Sequence, residues 1–322
     1  MPIIHGSTYR APFLFNNGHL QTLYPTIARK VNGVVYQRER IVTPDDDFLD
    51  LDWSRTGSRK LAILSHGLEG HTHRPYMIGM ARMLNRHGWD VLAWNYRACS
   101  GEINRRLRMY HNGCIDDLDS VVQHALKDNR YERTALIGFS LGGTLALMYL
   151  GSLAEKLDAR IGSSVAFSVP CDLKAGALEL AKAKNYLYMK QFLVSLHEKI
   201  RLKMEQMPGV INDDEYGKIK DFKGFDDRYT APINGFKDAE DYWYKCSSGR
   251  FLHAITVPTL LVNALDDPFL APSCYPVAQA EQSRYVHLEM PNSGGHVGFV
   301  QFNADGSYWS EKRAVEFLGQ EW

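Results

Sequence analysis

The sequence predicts an α/β protein with a mostly parallel central sheet and helices on both faces. Three observations lead there. Short, near-continuous apolar runs of strand length recur along the chain, and helical stretches alternate with them. One such run passes straight into a helix through a glycine-rich turn.

The elements follow in order. Val34–Val42 and Phe48–Trp53 flank Pro44-Asp45-Asp46-Asp47, which predicts an antiparallel hairpin at one sheet edge. Leu61–Ser65, Val91–Trp94, Ala135–Phe139, Ser164–Ser168, Thr259–Asn263 and Val286–Met290 read as strands buried on both faces. Between them, Pro75–Asn85, Ile115–Lys127 and Thr144–Leu157 space apolar residues as helices do, and Trp309–Leu318 closes the series as a last helix. Such alternation implies right-handed crossovers and parallel pairing. From about Cys171 to Phe251 it lapses into an amphipathic helical stretch whose later half, around Asp213–Arg228, reads as loop. The expected organisation is a core from residues 1–170 and 251–322 interrupted by a helical cap at 171–250. That insertion is either a lid or a helical subdomain that completes the core.

Composition narrows the function classes. The 322 residues carry 37 Lys+Arg against 37 Asp+Glu. A nucleic-acid binder needs an excess of cations, so that class is excluded, as are disordered and low-complexity classes. Five scattered cysteines without a C-x-x-C spacing fit a reducing compartment, and the first residues carry no signal-peptide pattern, so a cytoplasmic protein is expected. Thr134–Ala154 is uncharged and long enough to span a bilayer. Gly138, Ser140, Gly142 and Gly143 in its middle favour a buried strand–turn–helix, and no integral membrane segment is expected.

Gly138-Phe139-Ser140-Leu141-Gly142 fits G-x-S-x-G between a strand and a helix, which presents Ser140 as a nucleophile at a helix N-terminus. A serine nucleophile needs a base, and the base an orienting acid. Asn292-Ser293-Gly294-Gly295-His296 places His296 in a loop between the last strand and the last helix, whereas His287 alternates within that strand as a structural residue. The acid is Asp267 or Asp266, at the C-terminal end of the strand Thr259–Asn263. Asp267, held extended before Pro268, is favoured, and Asp266 would cap the turn. Oxyanion donors are expected from the N–H of Leu141 and from His66-Gly67-Leu68-Glu69-Gly70, through Leu68. His66, His71 and His73 cluster without an H-E-x-x-H spacing or a further ligand pair, so neither a metal nor another cofactor is expected. Leu187, Met189, Phe192, Leu193, Leu196 and Met204 form an apolar stripe that either faces an acyl-chain pocket or packs as core.

GFSLGG, HGLEG, NALDDPF and SGGHVGF, together with Gly18-His19-Leu20-Gln21-Thr22, Asn95–Glu102 and Tyr110-His111-Asn112-Gly113, resemble the YheT-like branch of the α/β-hydrolase fold. The match runs from about Gly18 to the final helix. The resemblance implies the α/β-hydrolase fold, a triad of Ser140, Asp267 and His296, and a cap in the middle insertion. It also implies esterase, lipase or acyltransferase activity on small acyl esters. One departure is Ala98, where the family string reads Arg-Gly-Cys-Ser-Gly; it is expected to alter loop packing rather than the triad. Three functions follow: an ester hydrolase working through an acyl-enzyme, an acyltransferase using the same triad, and a hydrolase-fold binding protein without turnover.

Overall fold

The computed structural model describes residues 3–320; Met1, Pro2, Glu321 and Trp322, assigned by sequence to the two parts of the core, lie outside them. Among the described residues nine strands form one sheet: β1 (Ile3–Ile4), β2 (Gln37–Val42), β3 (Phe48–Ser54), β4 (Lys60–Ser65), β5 (Asp90–Asn95), β6 (Arg133–Phe139), β7 (Ile161–Phe167), β8 (Thr259–Val262) and β9 (Val286–Glu289). Their spatial order is β1-β9-β8-β7-β6-β4-β5-β3-β2. All pairings are parallel except those of β3, which runs antiparallel to β2 and to β5.

The apolar runs are continuous because each strand serves two cores. On β4, Leu61 and Ile63 point into a cluster built with Leu118, Val121 and Val122 of α3 (Ile115–Leu126) and with α4 (Leu141–Leu153). Ala62 and Leu64 point the other way, against Met77, Met80 and Leu84 of α2 (Pro75–Arg86) and Trp309 and Phe317 of α11 (Trp309–Leu318). Alternation within a strand that is buried on both faces leaves no polar stripe to read.

The edge hairpin is charged for a different reason. Arg38 and Arg40 of β2 stand directly opposite Asp52 and Asp50 of β3 and grip them bidentately at 2.7–2.9 Å. Directly opposed charge pairs stabilise an antiparallel register, and a charged outer strand discourages further pairing. The turn of the hairpin is anchored inward by Arg97, whose buried guanidinium holds Asp45, Asp47 and Asp117 at 2.7–3.0 Å.

α4 carries the site and is the most enclosed helix. Every residue from Leu141 to Gly151 is buried. The uncharged stretch Thr134–Ala154 is therefore β6, the turn and this central helix, and among the described residues no helix is long and apolar enough to cross a membrane. The helix expected over Thr144–Leu157 begins at Leu141, immediately after Ser140.

Between β7 and β8 lie α5 (Leu173–Leu180), α6 (Tyr186–Gln206), α7 (Phe222–Phe225), α8 (Ala231–Ile233) and α9 (Ala239–Cys246). The stretch Asp213–Arg228, read as loop, instead contains a 3-10 turn at Tyr216–Lys218 and α7, which runs through a π turn at Asp226–Thr230 into α8. Asp221 caps α7 by accepting from the Gly224 N–H, a local signal buried in a polar segment. α1 (Gly18–Ala28) and α10 (Val277–Gln282) are helices without a sequence reading; α1 contains both a glycine and Pro25, each unfavourable to helix.

Ala98 has φ 62, the left-handed region, at the place where the family string carries glycine. A Cβ in that region costs roughly 1–2 kcal/mol. Ala98→Gly is therefore expected to stabilise the protein by about 1 kcal/mol, seen as a higher urea midpoint at unchanged slope.

Candidate active site

The strand order turns back at β4, with β5 on one side and β6 on the other, so the loops after β4 and β6 face each other across a crevice. Open parallel sheets bind ligands at such switch points, beyond the strand C-termini. Ser65 and Gly138 are register partners there.

Ser140 has φ 54 and ψ −117. For a residue with a Cβ this costs on the order of 1–3 kcal/mol unless the surroundings impose it. They do. The Ser140 N–H donates to Phe167 O of β7 at 2.8 Å, while Ser140 O accepts from Thr144 N at 3.0 Å. The flanking glycines permit the turn to close. A Cβ on Gly138 would stand 2.2 Å from Gly142 O, and one on Gly142 would stand 2.2 Å from Ser65 O. The serine is thus pushed above the sheet, and the Leu141 N–H lies in the first turn of α4, where helical amides lack an internal acceptor.

In the loop after β4, hydrogen bonding singles out one amide. Gly67 N–H donates to Tyr76 Oη at 3.0 Å, Glu69 N–H to Tyr110 Oη at 2.9 Å, and Gly70 N–H to Gly67 O at 3.0 Å. The Leu68 N–H has no acceptor among the described residues, and Leu68 lines the same cavity as Ser140. The loop is clamped from outside. The Tyr110 hydroxyl donates back to Glu69 Oε1 at 2.5 Å, and Lys199 Nζ of α6 reaches the same oxygen at 2.7 Å. Arg74 donates to the Glu69 carbonyl at 3.1 Å.

His66 is structural. Its Nε2 accepts from Tyr96 N–H at 3.3 Å, so Nδ1 carries the proton and donates to Gly67 O at 2.8 Å. Burial pushes its pKa down to about 3, which keeps it neutral. His71 is likewise held down, to about 4, first by burial and then by Arg74. Among the described residues no group of three or more His, Cys, Asp or Glu could hold a metal ion.

His296 Nδ1 lies 2.9 Å from Asp267 Oδ2 and 3.2 Å from Oδ1. Its Nε2 makes no hydrogen bond to a described residue, and the ring shares the cavity wall with Ser140. Of the two adjacent carboxylates, Asp267 faces the histidine and is buried, with Phe269 N–H also donating to Oδ1 at 2.9 Å. Asp266 turns away and accepts from Gly295 N–H at 2.8 Å. It braces the histidine loop instead of capping its own turn, the role expected of it by sequence, and burial raises its pKa.

The histidine loop is pinned at three consecutive amides. Gly295 donates to Asp266, His296 to Thr22 Oγ1 at 2.9 Å and Val297 to Ser168 Oγ at 2.8 Å. Thr22 and Ser168 have no place in a motif read along the chain, because 274 and 129 residues separate them from their partners. The only trace of Thr22 is the string Gly18–Thr22, noticed by resemblance. His287, half-buried on β9, stands edge-on to Phe317.

Ser140, His296, Leu68 and Leu141 open onto a cavity of about 840 Å³. α6 supplies Leu187, Phe192 and Leu196 to its wall, and Phe222, Phe225 and Trp243 extend the apolar lining. The stripe on α6 serves both roles, since Phe192 and Leu196 reach the cavity and also pack in the core that holds the rest. Its other members, Met189, Leu193 and Met204, pack with Ile200 and Tyr216 in a core of the inserted segment.

This is the architecture of an α/β hydrolase. The alpha/beta hydrolase fold family matches residues 62–302, from β4 to beyond His296, and the chain belongs to it as a YheT-like member. The YheT protein of Escherichia coli (strain K12), which carries an esterase name, is 32% identical over 311 residues, 94% of this chain and 91% of that one. Phospholipase ABHD3 of Mus musculus is 27% identical over 310 residues, 93% of this chain and 75% of the relative. Among solved structures, the Pyrococcus furiosus esterase PF2001 superposes with a TM-score of 0.61 at 19% identity, over 98% of both chains, a likeness of fold.

One buried carboxyl in the cavity wall is not part of this arrangement. Asp226 accepts from Thr230 Oγ1 at 2.6 Å and from Trp243 Nε1 at 2.8 Å. Burial pushes its pKa up to about 7, outweighing those two hydrogen bonds. The unfolded value is about 4, so the folded state holds more protons in between. Stability attributable to this group therefore falls as pH rises from about 4 through about 7 and levels off above. In Asp226→Asn the amide oxygen still accepts from Trp243 and its NH₂ donates to Thr230. Its melting curve is expected to draw ahead of wild type between about pH 4 and about pH 8, by on the order of 3 kcal/mol, in pH-dependent thermal unfolding.

Proposed function

We propose that the protein hydrolyses carboxylic acyl esters through a covalent acyl-enzyme. The observation that carries this reading is the His296–Asp267 pair facing the same cavity as the strained Ser140. Asp267 accepts from Nδ1–H and so leaves Nε2 as the basic nitrogen toward Ser140. His296 takes the Ser140 proton as Oγ attacks the ester carbonyl. The oxyanion is received by the N–H groups of Leu141 and Leu68, and His296 then protonates the departing alcohol. Water attacks the acyl-enzyme in a second pass through the same groups and releases the acid and Ser140. The esterase and phospholipase names of relatives support an ester substrate, and the apolar cavity supports an acyl chain over a sugar or a peptide. Residues 171–250 act as a cap, since α6 supplies part of the cavity wall from outside the sheet.

Purified protein is expected to label with a fluorophosphonate and to hydrolyse p-nitrophenyl esters, with longer acyl chains preferred over acetate. Ser140→Ala is expected to abolish labelling and turnover alike; labelling that persists in that variant overturns the assignment. The two carboxylates separate kinetically. Asp267→Asn presents the wrong face of the amide to His296 Nδ1 and is expected to lower kcat by roughly 10⁴. Asp266→Asn keeps an acceptor for Gly295 N–H and is expected to stay within about tenfold of wild type in kcat, measured side by side at neutral pH.

A further inference from the structure

The mouth of the cavity is bordered by apolar side chains that point into solvent. On α1, Gly18, Gln21 and Pro25 are buried, and Leu20, Leu23 and Ile27 stand on the opposite side of the helix. Amphipathic surface helices place polar residues there. Ile27 is 79% exposed, and Phe13 in the turn leading into α1 is 92% exposed. Across the mouth, Leu187 at the start of α6 is 76% exposed. The two segments touch where the His19 ring stacks on Tyr188, with Nδ1 at 3.2 Å from the phenol oxygen. Leu23 and Leu187 are exposed and also line the cavity, so exposed apolar side chains of α1 and α6 reach its wall at both positions.

Charge in the two segments that carry these side chains is one-sided although the chain as a whole is neutral. The first 38 residues hold Arg10, Arg29, Lys30 and Arg38 and no Asp or Glu, and residues 180–197 hold Lys182, Lys184 and Lys190 and again none. Some of these cations are engaged: Arg29 pairs with Glu311, Arg38 with Asp52, and Lys182 and Lys184 share Glu179. Arg10, Lys30 and Lys190 have no carboxylate partner among the described residues. Arg10 and Lys30 bracket the apolar stretch of Phe13 to Ile27, and Lys190 lies one helical turn beyond Leu187.

We propose that this rim docks on an anionic lipid surface, so that an acyl ester passes from the lipid into the cavity between α1 and α6. Apolar side chains would enter the interface while Arg10, Lys30 and Lys190 meet anionic headgroups, the pairing of forces that holds peripheral proteins on membranes. The inference deepens the ester-hydrolase reading and rests on it for the nature of the cargo, but docking itself does not require turnover.

The test is flotation of wild type and of Ser140→Ala with vesicles of phosphatidylcholine alone and with added phosphatidylglycerol. Both proteins are expected to float with the phosphatidylglycerol vesicles, and less with phosphatidylcholine or at high salt. Phe13→Asp/Ile27→Asp is expected to lower the bound fraction by at least about tenfold, while labelling and hydrolysis of a soluble short-chain ester stay at the wild-type level. Lys30→Glu/Lys190→Glu is expected to remove the preference for phosphatidylglycerol, at about fivefold for each cation. Absence of vesicle binding, or equal binding by wild type and Phe13→Asp/Ile27→Asp, overturns the proposal. So does a wild-type dimer in sedimentation that this variant dissolves without any vesicle binding, which would make the rim a contact between copies. Vesicle binding in a protein that neither labels nor cleaves esters would leave the docking surface standing and remove the hydrolase.

Discussion

Everything at the site follows from one backbone constraint, the left-handed conformation of Ser140 between β6 and α4. That conformation is unfavourable locally and is imposed by its neighbours: β7 accepts the serine amide, and β4 leaves no room on Gly142 for a side chain. The same tight closure makes α4 the central helix of the molecule, buried along almost its whole length. It also turns the first amides of that helix toward the crevice, where negative charge is stabilised. A looser turn would relieve the strain, and it would also draw the hydroxyl back toward the sheet.

Around this fixed point the other groups are held by hydrogen bonds from distant parts of the chain. The histidine loop has three amides claimed by three side chains from three segments. The loop after β4 is held through Glu69, whose carboxylate meets Tyr110 and Lys199 and whose backbone meets Tyr110 and Arg74. Lys199 belongs to α6, so the helical insertion touches the loop that carries the Leu68 amide as well as the cavity wall. A second lysine of α6, Lys203, is buried against the carbonyls of Asn104 and Arg106, and burial lowers its pKa to about 8. The inserted segment is thereby tied to the sheet side of the molecule by two lysines four residues apart on one helix face.

How much of this was legible in the sequence depended on the range of the interaction. The strands, the elbow and the loop bearing His296 are written in contiguous residues, so periodicity and turn chemistry reveal them. Choosing between Asp266 and Asp267 needed one step more, because both sit in the same turn and differ only in the direction they face. The six apolar positions on α6 could not be sorted into wall and core, since helical spacing reports a face and not what lies opposite. α1 holds a glycine and a proline, which argue against helix, and its contacts with the histidine loop supply what propensity lacks. Thr22 and Tyr110 show only as members of strings shared with the family, and Ser168 and Lys199 carry no sign of their partners. Their roles exist only through partners brought close by the sheet.

The bond from His296 N–H to Thr22 Oγ1 joins a residue ahead of the edge hairpin to one beyond the last strand. Every strand from β2 to β9 lies between those two positions along the chain. A chain in which those two positions have not met leaves the His296 amide without its Thr22 acceptor, and the histidine loop is then held at two of its three amides. The orientation of that loop is for this reason a property of the first and last parts of the chain together, and not of the strands that lie between them.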